Sequence, residues 1–365
     1  MIYIIFKMQR VEEMVSSQRR GIDVQPVFDE PALFLKSKEE RVLAIADLHI
    51  GLKYQWEREG VFIPDQKKRL LEKIRRICVP MKVSRLIIIG DFKHHVPKDP
   101  WEERKVKWEA EKEEWEEKLN RLFKKRKEIE ERIKKGSEIK DNHKEALYKI
   151  EKEKMRYIAR IRERRNEILD KIPSEEEAVN LFLEELSSFL KKVDIVKGNH
   201  DGRLENIIDP SFEDFVTVHR PEGFIYRTID KLKYNEDAER DCLFSVGFFH
   251  GHKWPDAEVV ASDLIVVGHT HYSFLFEDRV GARVIEPVWL RGEPTEKMKE
   301  RYPVLPKEFI LMPSFNPLLS TKPINTRHPT LYGPLLKNRY LDINNAKIYL
   351  FDGTLLGRVR DFKWL

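Results

Sequence analysis

The sequence has very few cysteines and no long apolar run. Cys78 and Cys242 are its only cysteines, lie far apart and match no CxxC spacing, which argues against a disulfide framework and against a cysteine-ligated structural zinc site. No apolar stretch reaches the roughly 18 residues that a membrane span needs, and residues 1–6 are too short an apolar stretch for a signal peptide. We therefore expect a cytoplasmic protein that has no membrane partner.

Charge is abundant but nearly balanced. Charged residues make up 36% of the 365 residues, apolar residues make up 41%, and the formal net charge is +5. Residues 101–172 carry 24 Lys and Arg against 19 Asp and Glu, so the net positive charge lies in this one segment. The apolar content is enough for a sizeable core. Electrostatic attraction to nucleic acid is expected from that segment rather than from the remainder.

Short apolar runs outside that segment predict strands that alternate with helices. Strands are predicted at residues 32–36, 41–46, 86–89, 194–196, 244–249 and 264–267, with helices at 66–78 and 175–192. A late hairpin is predicted from residues 339–343 and 347–351, joined through Asn344 and Asn345. This alternation predicts an α/β fold whose functional side chains lie at the carboxyl ends of the strands.

Residues 97–172 interrupt the α/β pattern. One apolar residue recurs every seven positions, at Trp101, Trp108, Trp115, Leu122 and Ile129, and a second periodic stretch follows a turn near residues 136–142. This pattern predicts an antiparallel helical hairpin, a coiled coil. Its basic stretch, residues 118–135, leaves two interpretations open, a solvated arm and a contact with nucleic acid or a partner protein. The predicted domains are 21–96 with 173–365, the insertion 97–172, and an N-terminal extension at 1–20.

Eight of the eleven histidines fall in five short segments that also contain Asp, Asn or Gly. The segments are Asp47-Leu48-His49, Gly90-Asp91-Phe92-Lys93-His94-His95, Gly198-Asn199-His200-Asp201, His250-Gly251-His252 and Gly268-His269-Thr270-His271. Carboxylate, amide and imidazole groups are ligands of divalent metals. Four of the segments directly follow an apolar run. Because strand ends can meet at one edge of a sheet, this pattern predicts a shared metal site.

The order DxH, GD, GNHD, H and GHxH over residues 47–271 resembles the ligand series of the calcineurin-like metallophosphoesterase superfamily. Residues 60–64, 90–94 and 313–317 are similar to its ICC-like branch, which includes archaeal phosphoesterases and the bacterial DNA-ligase-associated phosphoesterase. The resemblance implies a four-layer α-β-β-α sandwich and a metal-dependent phosphoesterase. The chain lacks the GDxVDRG arginine of the superfamily's protein phosphatases, so a phosphoprotein substrate is disfavoured.

The same resemblance implies two divalent ions and assigns their ligands. One ion would be held by Asp47, His49 and His271, the other by Asn199, His250 and His269, and Asp91 would bridge them. Two such ions acidify a bridging water to a hydroxide and neutralise the charge that develops on a phosphate. The mixed nitrogen and oxygen ligands suit manganese, iron or zinc better than magnesium. We expect manganese, with iron, zinc, nickel and magnesium as alternatives.

Seven further residues of these segments and their surroundings have expected roles. His200 would protonate the leaving oxygen, and Asp201 would orient His200. Substrate or supporting contacts are expected from Lys93, His94, His252, Arg291 and Asn316. For these five, an ordinary structural role remains an open interpretation.

The leading hypothesis is hydrolysis of phosphodiesters in nucleotides or nucleic acid. Two alternatives stay open. One is a phosphomonoesterase that acts on a small metabolite. The other is a docking or scaffold module whose coiled-coil arm binds a partner protein or nucleic acid.

Overall fold

The computed structural model describes residues 22–53, 56, 61, 63, 64, 66–94, 100–134, 141–169, 175–229 and 242–362. Within this part, contacts separate two compact units, one from the described residues of 1–95 and 179–365 and the other from those of 96–178. The larger unit is mixed α/β with several sheets. The predicted N-terminal extension, residues 1–20, lies outside the described residues, as does His95.

A six-stranded sheet contains the first strands of the chain. Its strands are Ile22–Pro26 (β1), Ala32–Ser37 (β2), Arg41–Ala46 (β3), Arg85–Ile89 (β4), Lys192–Val196 (β5) and Val216–His219 (β6). They lie in sequence order, antiparallel from β1 to β3 and parallel from β3 to β6. Parallel neighbours need long connections. Helix Gln66–Met81 lies between β3 and β4, and helix Glu175–Ser187 precedes β5.

A seven-stranded sheet and a small third sheet follow. The strands from here on are Phe224–Ile229 (β7), Cys242–Phe249 (β8), Leu264–Val267 (β9), Tyr272–Glu277 (β10), Arg283–Pro287 (β11), Trp289–Gly292 (β12), Glu308–Leu311 (β13), Lys322–Pro323 (β14), Lys347–Tyr349 (β15) and Leu355–Arg358 (β16). The larger of these sheets has the order β16-β15-β12-β13-β9-β8-β7, and the smaller has the order β11-β10-β14. Strands β8, β9 and β13 run parallel.

Short helical turns lie between the strands from β5 onward and after the last strand. The α-helical turns are Leu204–Ile207, Ala257–Val260 and Gly333–Lys337, and the 3₁₀ turns are Pro210–Phe212, Glu296–Glu300 and Val359–Phe362. They supply residues to the core, such as Val260 and Leu336, which are buried.

The two large sheets share one apolar core. It contains alternate residues of strands from both sheets, among them Val42, Ala44 and Ala46 of β3 and Leu264 and Val266 of β9. A second core lies on the other face of the seven-stranded sheet, where Ile265 and Val267 join Leu335 and Leu336. Burying each such side chain stabilises the fold by about 1.5–3 kcal/mol. The cores therefore fix where the strands of the two sheets end.

The smaller unit contains two long helices, Pro100–Lys134 and Asp141–Leu169, which pack against each other. The contacts run in opposite order along the two helices: Trp115 meets Tyr157, with ring centroids 5.9 Å apart, whereas Arg126, later in the first helix, meets Glu151, earlier in the second, at 2.9 Å. The two helices are therefore antiparallel. Supercoiling, which would make the pair a coiled coil, stays a prediction.

The late hairpin predicted from residues 339–343 and 347–351 is wrong. Strand β15 pairs with β12 and β16 instead, and Leu341 makes only an isolated bridge to Pro294. The Asp342 carboxylate accepts hydrogen bonds from both the backbone and the side chain of Asn345, so this segment forms a local turn. The strand partners of β15 lie elsewhere in the chain.

Candidate metal centre

The predicted ligand segments meet where strands of both large sheets end. Asp47 follows β3, Asp91 follows β4 and Asn199 follows β5, whereas His250 follows β8 and His269 follows β9. The first three strands are parallel within one sheet, and the last two are parallel within the other. Because the sheets share a core, these carboxyl ends open at a common edge, where α/β folds place their sites.

Six of the seven predicted ligands form two groups that could hold a metal ion. Within each group the ligand atoms lie within 4.8 Å of one another, and the groups are Asp47 with His49 and His271, and Asp91 with His250 and His269. These groups contain the same residues as the two predicted ion sites, except that the second group contains Asp91 in place of Asn199. The side chain of Asn199 is exposed, and its part as a ligand stays a prediction.

The two groups are contiguous at their carboxylates. Nε2 of His250 lies 3.0 Å from Oδ1 of Asp47 and 3.4 Å from Oδ2 of Asp91. Nε2 of His49 lies 3.3 Å from Oδ2 of Asp91, and Nε2 of His271 lies 3.3 Å from Oδ2 of Asp47. Each carboxylate therefore faces imidazoles of both groups, so the two aspartates stand at the junction.

Two imidazole nitrogens at this junction lack a hydrogen bond. Nε2 of His49 and Nε2 of His271 are buried and, among the described residues, neither has a partner in hydrogen-bonding geometry. Leaving a buried polar atom without a hydrogen bond costs about 1–3 kcal/mol, and here only the 3.3 Å contacts with the carboxylates of Asp91 and Asp47 offset this cost. A divalent ion would satisfy both nitrogens, because neutral imidazole and carboxylate are ligands that such ions take. The residues present therefore fit a metal centre.

The backbone at the centre is strained at several of the predicted ligands. Five predicted ligands have positive φ angles: Asp47 (58°), His49 (48°), Asp91 (46°), His269 (66°) and His271 (43°). Residues that carry a Cβ rarely adopt this left-handed region, which costs roughly 1–2 kcal/mol per residue. Such strain is concentrated at functional sites. Here all five strained residues belong to the two ligand groups.

Two glycines are required because ligands pack directly on them. Gly90 has φ of +76°, and a Cβ added there would lie 2.1 Å from Cδ2 of His250. A Cβ added at Gly198 would lie 2.1 Å from Oδ1 of Asp91. The glycines of the Gly-Asp and Gly-Asn-His-Asp segments therefore make room for the ligands.

Burial and mutual contacts shift the acidities of these groups. Burial would raise the pKa of Asp47, but His271 and His250 outweigh it and hold that pKa well below its usual range. Burial likewise opposes the shift at Asp91, whose pKa is lowered to about 2 by His250 and His49. Burial and the nearby His250 lower the pKa of His269 to about 4. Both carboxylates are therefore charged and His269 is neutral at neutral pH, the forms that bind metal.

His94 and His252 lie behind two of the ligands. Nδ1 of His94 is 2.8 Å from Nδ1 of His49, and Nδ1 of His252 is 2.9 Å from Nδ1 of His250. Each contact uses the ring nitrogen that faces away from the carboxylates. Such contacts fix the orientation and tautomer of a ligand imidazole. This geometry gives both residues a supporting role.

Asn316 supports the backbone between two ligands. It is buried, and its Nδ2 donates a 2.9 Å hydrogen bond to the carbonyl of Leu48, the residue between Asp47 and His49. Its Oδ1 accepts from the N–H of Leu318. Asn316 is therefore tied into the structure on both sides and holds the first ligand loop in place.

Asp201 joins two ligand loops. Its buried carboxylate accepts hydrogen bonds from the N–H groups of Gly198 (2.8 Å), Lys93 (3.0 Å) and Phe92 (3.2 Å). Burial is the main reason that the pKa of Asp201 is raised. These three bonds act on the backbone of the two loops, and orientation of the His200 ring by Asp201 stays a prediction.

His200 lies beside the first group of ligands. Its ring stacks on His94 with centroids 4.9 Å apart and meets the ring of His49 edge-on at 4.8 Å. Its N–H donates a 2.9 Å hydrogen bond to Oδ1 of Asp91. The side chain is half-buried, so it stands at the centre and still reaches solvent.

The structure places two of the expected substrate contacts differently. Lys93 lies two residues after Asp91 with its side chain fully buried, and its contact with a phosphate stays a prediction. The Arg291 guanidinium donates to both carboxylate oxygens of Glu308, at 2.8 and 2.9 Å. Glu308 begins β13, and the metal centre lies beyond the opposite end of that sheet. Arg291 is therefore not brought to the centre.

A cavity of about 800 Å³ adjoins the centre. His252 and His269 lie in its wall together with Trp254, Arg301 and Tyr332. The sequence did not indicate the last three, because they stand in separate loops without a shared motif or period. The one available signal was the position of Trp254, two residues after His252.

Comparison of the sequence with protein families and with curated proteins finds no match. Among solved structures, the chain is similar to the nuclease MPE of Pseudomonas putida, with 15% identity and a TM-score of 0.36 over 92% of this chain and 100% of that one. It is also similar to zinc-bound Vps29 of Entamoeba histolytica, with 17% identity and a TM-score of 0.16 over 40% of this chain and 72% of that one. Both TM-scores are low, so these similarities carry no conclusion about activity or substrate.

No helix in the described part of the chain is both long and apolar enough to cross a membrane.

Proposed function

We propose that this chain is a metal-dependent phosphoesterase of the calcineurin-like metallophosphoesterase superfamily, and that its centre holds two divalent ions, with manganese first among the candidates. The observation that carries the proposal is the contiguity of the two ligand groups through Asp47 and Asp91, both within 3.4 Å of Nε2 of His250. A carboxylate shared in this way can set the short spacing between two cations. The family fold, a four-layer sandwich with a coiled-coil insertion at residues 97–172, is part of the same proposal.

The protein contributes a rigid and charged cradle to the proposed reaction. When bound, the two cations would neutralise phosphate oxygens and acidify water. Asp47 and Asp91 would hold them from the junction, and His49, His250, His269 and His271 would hold them from the outside. Since His94 and His252 orient two of these rings, the cradle is arranged before a substrate arrives, which lowers the reorganisation needed during the reaction.

His200 is proposed as the general acid. It stands next to the first ligand group, and the Asp91 carboxylate fixes its backbone. An imidazole nitrogen of His200 would donate a proton to the leaving oxygen of the phosphoester. Its stacking on His94 limits the motion of the ring. Asp201 would help by holding the loop that carries His200.

The proposed substrate is a phosphodiester of a nucleotide or nucleic acid. A large, open cavity on one side of the centre supports a substrate that extends beyond the scissile phosphate. The helical insertion would serve as an arm for nucleic acid or a partner protein.

The proposal is tested by hydrolysis of bis-p-nitrophenyl phosphate and of 2′,3′-cyclic nucleotides with Mn²⁺. Asp91→Asn is expected to lower kcat/KM by more than about 100-fold, because even groups that only support a metal ligand are worth about 10–100-fold. The matched control is Asp214→Asn, which removes an exposed carboxylate and should leave turnover unchanged.

Equal turnover by the wild type and Asp91→Asn would contradict the proposal. A parallel assay with p-nitrophenyl phosphate separates the two kinds of esterase. Faster hydrolysis of this monoester than of the diesters would favour the phosphomonoesterase alternative.

A further inference from the structure

The cavity beside the metal centre shares a wall with it. His269, a candidate ligand, and His252, which lies behind His250, are both part of the lining. The volume, about 800 Å³, is that of a pocket for a small-molecule ligand or a nucleotide. A group bound there would lie next to the place that the proposed function gives to the scissile phosphate.

Arg301 is held against an aromatic ring in this cavity. Its guanidinium carbon lies 4.1 Å from the centroid of the Trp254 ring and 5.8 Å from that of Tyr302. Trp254 in turn packs on Tyr340, with ring centroids 5.7 Å apart. A guanidinium stacked on a ring keeps its N–H donors free in its own plane and loses little further freedom when an anion binds. Arg301 is therefore arranged in advance for an anion such as phosphate.

Arg301 makes no ion pair with a carboxylate among the described residues. The other charged residues of the wall are Lys253, Lys337, Glu222 and Asp256. Glu222 already pairs with Arg220 at 3.3 Å, whereas Lys253 and Lys337 are exposed. The cavity therefore has an excess of positive charge, which attracts an anionic ligand.

An aromatic ring of the cavity wall contacts one of the candidate ligands. Tyr332 is half-buried in the wall, and its ring meets that of His269 edge-on with centroids 5.9 Å apart. Aromatic rings combined with basic side chains in one groove bind single-stranded nucleic acid, because bases stack on the rings and the cations contact phosphates. In a duplex the bases already stack on each other and are therefore not available to stack on Tyr332.

We propose that this cavity is a subsite for the nucleotide next to the scissile phosphodiester of a single-stranded nucleic acid. Arg301 contacts the phosphate of that nucleotide, and Tyr332 stacks on its base. The position of the scissile phosphate rests on the proposed function, but binding in the subsite does not require hydrolysis. A small diester such as bis-p-nitrophenyl phosphate has no second phosphate for Arg301.

Binding of a fluorescein-labelled single-stranded oligonucleotide, followed by anisotropy in EDTA, tests the subsite without turnover. Arg301→Ala is expected to raise Kd about tenfold, the size of one charge-assisted contact. It should also reduce the slope of log K against log salt by about 0.7, the contribution of one phosphate contact on a single strand. The control, Arg279→Ala, removes an equal charge from the exposed turn between β10 and β11 and should bind like the wild type.

Tyr332→Leu separates stacking from charge. This variant is expected to raise Kd about tenfold through the loss of base stacking, with an unchanged salt slope. With Mn²⁺ present, Arg301→Ala should lower the selectivity for the oligonucleotide over bis-p-nitrophenyl phosphate about tenfold.

Equal effects of Arg301→Ala and Arg279→Ala would overturn the subsite, and so would no measurable binding by the wild type. Equal affinity for the duplex of the same sequence would overturn the stacking role of Tyr332. Binding with the expected salt dependence, but without Mn²⁺-dependent hydrolysis of any phosphoester, would instead defeat the proposed function and leave the subsite standing.

Discussion

At the scale of single residues, the metal centre depends on backbone positions that tolerate no ordinary side chain. Gly198 illustrates this, because the carboxylate and the N–H of Asp91 occupy the space that a Cβ would need. Four residues later in the chain, Gly202 has no atom within 4 Å of the position of an added Cβ. Of these two glycines in one loop, Gly202 has space for a side chain and Gly198 has none. Substitution of each by alanine therefore gives a matched pair of variants.

Gly198→Ala is expected to destabilise the protein by about 1–3 kcal/mol, as overpacking of a tight site does, and to abolish Mn²⁺ binding by displacing Asp91. Gly202→Ala should behave like the wild type in both respects. Urea unfolding and calorimetric titration with Mn²⁺ measure the two effects. If both variants bound Mn²⁺ as tightly as the wild type, the close packing of Asp91 on this loop would be wrong.

At the scale of elements, strand β5 carries a buried ionic group next to the edge strand β6 of the six-stranded sheet. Asp194 is fully buried, accepts a 2.6 Å hydrogen bond from Nε of Arg85 on β4, and lies 2.7 Å from Nε2 of His219 on β6. One carboxylate therefore links three adjacent strands, two of which end in ligand loops. Its environment determines how the stability of the sheet depends on pH.

Burial would raise the pKa of Asp194, but the contacts with His219 and Arg85 outweigh it and lower this pKa below the ordinary 3.8. The charged carboxylate therefore stabilises the fold above that value, and this contribution is lost as the pH falls through the lower folded pKa. Asp194→Asn is expected to reduce the free energy of unfolding at neutral pH by about 3 kcal/mol. It should also flatten the loss of stability below about pH 4.

Urea unfolding across that pH range is the measurement, with Asp214→Asn, which changes an exposed carboxylate, as the control. If Asp194→Asn lost stability at low pH as steeply as the wild type, a group other than Asp194 would cause the pH dependence of the free energy of unfolding.

The elements that the sequence predicted well are those with a purely local signal. Strands β3, β4, β8 and β9 are short apolar runs. A predicted ligand follows β3 and β8 directly and follows β4 and β9 after one glycine. These signals need no knowledge of distant residues. The grouping of the ligands followed from the resemblance, and the structure adds how closely the groups adjoin.

The features that the sequence did not predict depend on distant partners. Strand β15 looked like half of a hairpin, because the Asn344-Asn345 turn signal is local, whereas its partners, β12 and β16, are set by packing. Likewise, Trp254 and Arg301 form one wall of the cavity only because the fold brings separate loops together. Arg291 looked available for phosphate, but Glu308 on the neighbouring strand binds it.

At the scale of the whole molecule, the candidate metal ligands and the net positive charge lie in different parts of the chain. All six grouped ligands lie in the unit of the described residues of 1–95 and 179–365. The excess of positive charge lies in residues 101–172, within the range of the other unit. Under the proposed function, the unit that contains the ligands would carry out the reaction, and the other unit would act as an arm.

The most direct test is anomalous diffraction from a crystal of the protein grown with Mn²⁺. Two peaks are expected about 3.5–4 Å apart, the spacing of paired catalytic ions. One peak should lie among Asp47, His49 and His271, and the other among His250, His269 and Asn199, with Asp91 between them. A single peak, or none at these residues, would contradict the proposed two-ion centre.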